Sequence, residues 1–168
     1  MASNPAHDHD HALDHHHERL GLSGRALAAE LKTAEAQCAA DGQKLTPARR
    51  RVLQLLMQAG QPVKAYDLIS AFGQAGEAPA KPPTVYRALD FLERQGLAHR
   101  IESLSAYVAC LKGQGGHAAA FLICDCCGKT EEVEANVGEA LKQAAGESGY
   151  TVQSVAIEAH GHCAACRG

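Results

Sequence analysis

Two Cys-x-x-Cys pairs, Cys124/Cys127 and Cys163/Cys166, constrain this chain more than any other feature. Two cysteines at that spacing reach one ion from a tight turn, and two such pairs complete the tetrahedral four-thiolate shell that zinc prefers. Each pair follows a stretch with the composition of a strand, with Gly128 and Gly161 nearby to permit the turns. The N-terminus has no apolar run of the kind that directs export, so the seven cysteines read as reduced thiols of a soluble, cytoplasmic protein. In that setting metal binding is favoured over disulfides, redox chemistry or inert buried thiols. Cys126 makes the first knuckle Cys-Asp-Cys-Cys, and the two-residue spacing selects Cys124 and Cys127 as the ligands.

Charge divides the chain. Residues 1–24 carry one Arg against four acids, residues 25–100 eleven Lys/Arg against seven Asp/Glu, and residues 101–168 four bases against eight acids. A basic middle beside an acidic end suggests two modules, the first able to face a polyanion. The expected division is a disordered His/Asp-rich tail over 1–24, which holds six of the ten histidines, then units over 25–111 and 112–168. At 168 residues and 46% apolar composition, two small folded units are affordable. The longest apolar run, Ala118 to Cys124, is too short to cross a bilayer.

Periodicity predicts helices over 25–40, from Pro47 to Gly60, and from about Lys64 to Phe72. Thr46 reads as the N-cap of the second, with Val52, Leu55, Leu56 and Ala59 as its apolar face. Ala78 to Pro83 reads as a rigid linker. From Pro83 to Gly96, Val85, Leu89 and Leu92 share one helical face, while Arg87, Asp90 and Arg94 point away and Tyr86 flanks them. Leu97–Ile101 and Ala106–Cys110 then read as a two-stranded hairpin. Helices followed by such a hairpin describe a winged helix-turn-helix, whose last helix presents its exposed face to the DNA major groove. Arg contacts guanine bidentately there, and other bases meet phosphates.

The remainder reads as a small α+β unit: strands at 121–123 and 129–133, a helix over 136–147 and a strand over 150–157. It is short of core, and a metal and a second copy would each help to hold it. A hairpin centred near Leu104 places His99 across from Cys110. His117 follows in a Gly-rich connection, with Glu131 or Glu132 in the next strand. Two His, one Cys and one Glu would form a mixed shell suited to zinc, whereas a wing histidine can equally be a solvated one.

These residues resemble the ferric uptake regulator (Fur) family, and within it the zinc-sensing branch. The resemblance is carried by Thr46-Pro47-x-Arg49, Lys81-Pro82-Pro83-Thr84-Val85-Tyr86-Arg87-Ala88-Leu89-x-Phe91-Leu92, Gly96-Leu97-x-His99, Phe121-Leu122-Ile123-Cys124-x-x-Cys127-Gly128 and Glu158-Ala159-His160-Gly161-x-Cys163-x-x-Cys166. It implies an α+β protein with an N-terminal winged helix and a C-terminal dimerisation unit. It also implies a homodimeric repressor that binds AT-rich palindromic operators of zinc-uptake genes when zinc-loaded. Carried over by position, Cys124, Cys127, Cys163 and Cys166 match a structural zinc site. His99, Cys110, His117 and Glu132 match a regulatory zinc site, and Tyr66, Thr84, Tyr86 and Arg87 match DNA-contacting positions. Iron-sensing relatives carry a His-rich cluster before the first knuckle. Here Ala118-Ala119-Ala120 stands there, which favours zinc. Cys126, His162 and the tail lie outside the pattern, and His160 is left as an auxiliary ligand or a supporting residue.

A sister sensor of iron, manganese or peroxide is the nearest competing class. A zinc storage or chaperone protein explains the His-rich tail and the cysteines but leaves the Tyr86-Arg87 helix without a role. A metallohydrolase would need an open metal position and a poised base, and no His-Glu-x-x-His, nucleophile elbow or phosphate loop is present, so no enzyme and no small organic substrate are expected.

Overall fold

The computed structural model describes residues 21–73, 80–111, 119–134, 137–152 and 155–167. The first helix, α1 (Gly24–Ala40), buries Leu27, Leu31, Ala34 and Cys38, one stripe at successive turns. The next, α2 (Pro47–Ala59), starts with proline in its first turn and stops at Gly60. There φ of 60° lets the Gly60 N–H reach the Leu56 carbonyl at 3.2 Å. Thr46 has the extended backbone of an N-cap, but its side chain makes no capping hydrogen bond. The buried face of α2 is Val52, Leu53, Leu56 and Met57, so Leu53 and Met57 replace the expected Leu55 and Ala59. The reason is that α2 is central: α1, α3, α4 and the first sheet all pack on it, α4 most extensively, so apolar positions around more than one face are covered.

A two-residue strand, β1 (Val63–Lys64), leads into α3 (Ala65–Phe72), and α4 (Pro82–Arg94) follows. Pro82 and Pro83 sit in the first turn of α4, where a missing N–H costs nothing, so the expected linker ends earlier than its prolines suggest. Val85, Ala88, Leu89, Phe91 and Leu92 are buried. Two further strands, β2 (Ala98–Ile101) and β3 (Ala106–Ala109), form the hairpin, and β1 adds to its outer edge in the order β1-β3-β2. A short strand that small carries no periodicity to read, and it was not expected.

The hairpin register differs from expectation. His99 pairs with Val108 rather than Cys110, because the loop spans Glu102–Ser105 with Ile101 opposite Ala106. Ser105 takes a φ of 48°, which turns the chain one residue sooner on each strand than a loop centred on Leu104 would. The slip is an even number of positions, so every side chain keeps its face. Ala98, Tyr107 and Ala109 face the helical core, whereas Ile101 and Val108 face the second sheet.

That second sheet comprises β4 (Ala119–Cys124), β5 (Thr130–Glu134) and β6 (Ala156–Gly161), with α5 (Val137–Glu147) between the last two. Its order is β5-β4-β6, with β4 antiparallel to β5 and parallel to β6. The last strand begins at Ala156, not Tyr150, and Tyr150 is exposed. Pairing with β4 sets this position, since it brings Gly161 opposite Cys124. Ile101 of the hairpin is buried with Phe121 and Ile123 of β4, flanked by Leu104 and Val108, so the wing rests on the second sheet. The fold is α+β, a winged helix-turn-helix followed by a small α/β unit. Among the described residues, no helix is long and apolar enough to cross a membrane.

Candidate metal centres and nucleic-acid interface

The first knuckle forms where β4 ends. Cys124 N–H donates to the Lys129 carbonyl and Gly128 N–H to the Cys124 carbonyl, each at 2.9 Å, with Gly128 at a φ of 71° closing the turn. The second knuckle repeats this with Cys166 N–H on the Cys163 carbonyl at 2.9 Å. Parallel pairing of β4 and β6 brings the two together, and Asp125 N–H donates to the Gly161 carbonyl at 2.8 Å. The four sulfurs of Cys124, Cys127, Cys163 and Cys166 lie within 4.8 Å of one another. Cys127 Sγ and Cys163 Sγ are 3.8 Å apart. A tetrahedron with zinc–sulfur bonds of about 2.3 Å has edges of about 3.8 Å, so the group fits zinc. The Cys163 N–H points at Cys124 Sγ from 3.3 Å. This donor, with the Cys127 N–H, pulls the Cys124 thiol down to about 6, so a thiolate stands ready at neutral pH. Cys166 is pushed upward because its thiol donates to the Cys126 and Cys163 sulfurs, which favours its protonated form. Cys126 itself is exposed and outside the four.

A second group joins the two sheets. His99 of β2, Cys110 just past β3 and Glu132 of β5 place their ligand atoms within 4.8 Å of one another. Cys110 N–H donates to the Leu97 carbonyl at 3.0 Å, which continues the hairpin by one step. His99 and Cys110 are thus diagonal neighbours on the face turned toward β4. Glu132 pairs with Phe121, whose ring meets the His99 ring edge-on at 5.7 Å. Strand alternation puts Glu131 on the other face, exposed and 3.5 Å from Lys129, so Glu132 is the acid that the structure brings to His99. His117 lies outside the described residues. An imidazole, a thiolate and a carboxylate make a borderline donor set, which fits zinc. His160 belongs to neither group: its Nδ1 is 2.8 Å from Asp125 Oδ1 and its Nε2 is 3.9 Å from Glu158 Oε2. His162 is exposed.

On the opposite side of the hairpin, α4 exposes Tyr86 and Arg87, Thr84 is half-buried in its first turn, and Tyr66 of α3 is 75% exposed. The run Arg49-Arg50-Arg51 is basic in sequence but occupied in the fold. Arg49 stacks 3.5 Å over Phe91, Arg50 pairs with Glu35 at 2.7 Å, and Arg51 donates to the Ala71 and Phe72 carbonyls at 3.1 Å. One residue without a role in the sequence reading is Glu158. It reaches from β6 to the wing tip, accepting from the N–H groups of Glu102 at 2.7 Å and Ser103 at 3.1 Å. Its partners are backbone amides, which leave no mark on a sequence; only its place in the Glu158-Ala159-His160 motif hinted at it.

A winged helix seated on a small sheet, with one metal-binding group inside the second unit and another bridging the two, defines a metal-dependent winged-helix regulator. The chain belongs to the ferric uptake regulator family, whose model matches residues 40–160. It is 45% identical over 138 residues to the zinc uptake regulation protein of Escherichia coli K12, covering 81% of this chain and 80% of that one. It is also similar to the structure of a zinc uptake regulator complexed with zinc and DNA. That match has 41% identity and a TM-score of 0.76, over 84% of this chain and 95% of the other. Holo XcZur matches at 41% identity and a TM-score of 0.70, over 82% and 96%.

Proposed function

We propose that this protein is a zinc-responsive transcriptional repressor that binds operator DNA of zinc-uptake genes when zinc-loaded. The observation that carries this reading is the group at His99, Cys110 and Glu132, because it takes two ligands from the wing and one from the second sheet. The four cysteines would hold one structural zinc per subunit. His99, Cys110 and Glu132, with His117, would hold one regulatory zinc. Zinc supplies there a set of directional bonds to N, S and O donors, and no redox chemistry. The proposed division is a tail over 1–24, a reading head over 25–111 and a dimerisation unit over 112–168, working in the cytoplasm and without catalysis.

This chain's residues convert that bond set into DNA affinity. The wing ligands His99 and Cys110 lie on the same hairpin that packs behind α4, so fixing the hairpin fixes α4. Tyr86 and Arg87 would then enter the major groove while Thr84 and Tyr66 meet the backbone. A dimer binds a palindrome only when its two reading helices stand about one helical turn of DNA apart. Leu122, on the central strand β4, is 49% exposed, and Leu141 of α5 is 50% exposed. An uncovered leucine in mid-sheet supports pairing with a second copy through this unit. The relatives described above support zinc as the signal. The thiolate in the bridging group distinguishes this chain from a sensor of a harder ion such as manganese, whose preferred donors are oxygens.

The test is fluorescence anisotropy on an AT-rich palindromic operator in buffered zinc, ferrous iron and manganese. Zinc should drive binding at free concentrations at least about 100-fold below the other two metals, the span that one additional soft ligand of about 2.7 kcal/mol would create. Tighter binding in iron or manganese would assign the chain to a sister sensor, and no binding in any metal would point to zinc storage.

A further inference from the structure

The wing is fastened to the second sheet at a place apart from both candidate metal-binding groups. Its tip, the loop Glu102–Ser105, turns two backbone N–H groups toward β6. The Glu102 N–H meets Glu158 Oε1 at 2.7 Å and the Ser103 N–H meets Oε2 at 3.1 Å, one oxygen to each amide. The Ser103 hydroxyl adds a third donor, and these together hold the Glu158 carboxyl below its ordinary range against the opposing effect of burial. The Glu158 side chain is only 15% exposed. Bonds between amides and a shielded carboxylate are charge-assisted and directional. Behind Glu158, His160 links it to Asp125, the residue between Cys124 and Cys126 in the first knuckle.

The two fastenings are at different heights on the wing. His99 stands three residues before Glu102 on an extended strand, so the metal-binding group and the tip are about 10 Å apart. A hairpin held at one point can pivot about it. Held at two, it cannot. We infer that Glu158 is a positioning residue for operator binding: a carboxylate latch that seats the wing tip on β6 and, with the ligands at the wing's base, sets the orientation of α4. The inference rests on the proposed function, since it concerns how the zinc-loaded form is held. His160 places the latch beside the four-cysteine knuckle, with its Nδ1 2.8 Å from Asp125 Oδ1 and its Nε2 3.9 Å from Glu158 Oε2.

The experiment uses full-length Glu158→Gln and Glu158→Ala, with zinc content, sedimentation and circular dichroism as controls. Anisotropy is read on two duplexes: an AT-rich palindrome selected by the zinc-loaded wild-type protein, and its isolated half-site. Both variants should keep wild-type zinc content and dimerisation. Glu158→Ala should weaken palindrome binding roughly tenfold or more, about 1.4 kcal/mol, and Glu158→Gln less, since one acceptor oxygen remains. Half-site affinity should stay within about twofold, because a single reading head needs no fixed separation. Unchanged palindrome affinity, or equal losses on both duplexes, would overturn the latch. Hydrogen exchange on the wild-type protein judges it independently of any variant's folding. The Glu102 and Ser103 amides should be protected in zinc, and free exchange there would overturn it too. A wild-type protein that binds no palindrome in zinc would instead sink the repressor reading, while amide protection would still decide the latch.

Discussion

Cys163→Ser is expected to leave the protein without its four-cysteine zinc and with the second sheet unfolded. The sheet has little else to hold it: among the described residues its buried apolar side chains are Ala120, Phe121, Ile123 and Cys124, and Phe121 and Ile123 share a small cluster with Ile101 of the wing. Both knuckles sit at one end of the parallel β4–β6 pairing and tie it there, and structural zinc in small domains contributes on the order of 10 kcal/mol of folding free energy. A serine hydroxyl is a poor fourth ligand, and Cys163 is also the residue whose N–H steadies the Cys124 thiolate. Loss of at least about 3 kcal/mol should follow, enough to remove a marginal unit from the native state. Hydrogen exchange should show residues 119–161 unprotected, while the larger core from Leu27 to Tyr107 keeps its protection. Chelation of the wild-type protein should reproduce the pattern. A zinc-free variant with an intact, dimeric second sheet would show that the cysteines do not carry the fold.

His99→Ala should do the opposite: preserve the fold and abolish the response. Its ring is half-buried against Phe121, so truncation costs packing on the order of 1 kcal/mol, well inside the stability of the larger core. The bridging group loses its imidazole, and with it the fastening that zinc would add to the apolar and Glu158 contacts between wing and sheet. If each regulatory site favours the closed arrangement about 100-fold, the loss is about 2.7 kcal/mol per site, and about twice that in a dimer. Operator affinity in saturating zinc should fall to the zinc-free level, and zinc content should fall by one ion per subunit. Calorimetry and anisotropy read the two quantities separately. Normal repression by His99→Ala would place the sensing site elsewhere.

Which parts of this molecule were legible in its sequence follows from the range of the interactions involved. The cysteine pairs were readable because each chelating pair is local, and the recognition helix because Val85, Leu89 and Leu92 repeat at helical spacing. The hairpin register departs from the sequence expectation by two positions, since the loop is set by a positive φ at Ser105, which serine does not advertise. His99 and Cys110 share one face in either register, because a slip of two preserves it. Face assignment on β5 was ambiguous in sequence, and the Phe121–Glu132 pairing decides between Glu131 and Glu132. The start of β6 and the face of α2 depend on partners far away in the chain, so local pattern misplaced both. Glu158 stayed silent for the same reason, its partners being amides of a distant loop.

In the proposed mechanism the group at His99, Cys110 and Glu132 couples the wing to the second sheet and thereby to DNA, and linkage between zinc and operator reads that coupling. Zinc affinity of the bridging site should be measured by competition with a chelator, with and without saturating operator. Coupling between sites is reciprocal, so operator should tighten zinc binding by the same factor by which zinc tightens operator binding, about 100-fold per site. Equal zinc affinity in the presence and absence of operator would rule out this coupling, because an ion that does not distinguish the two states cannot shift them.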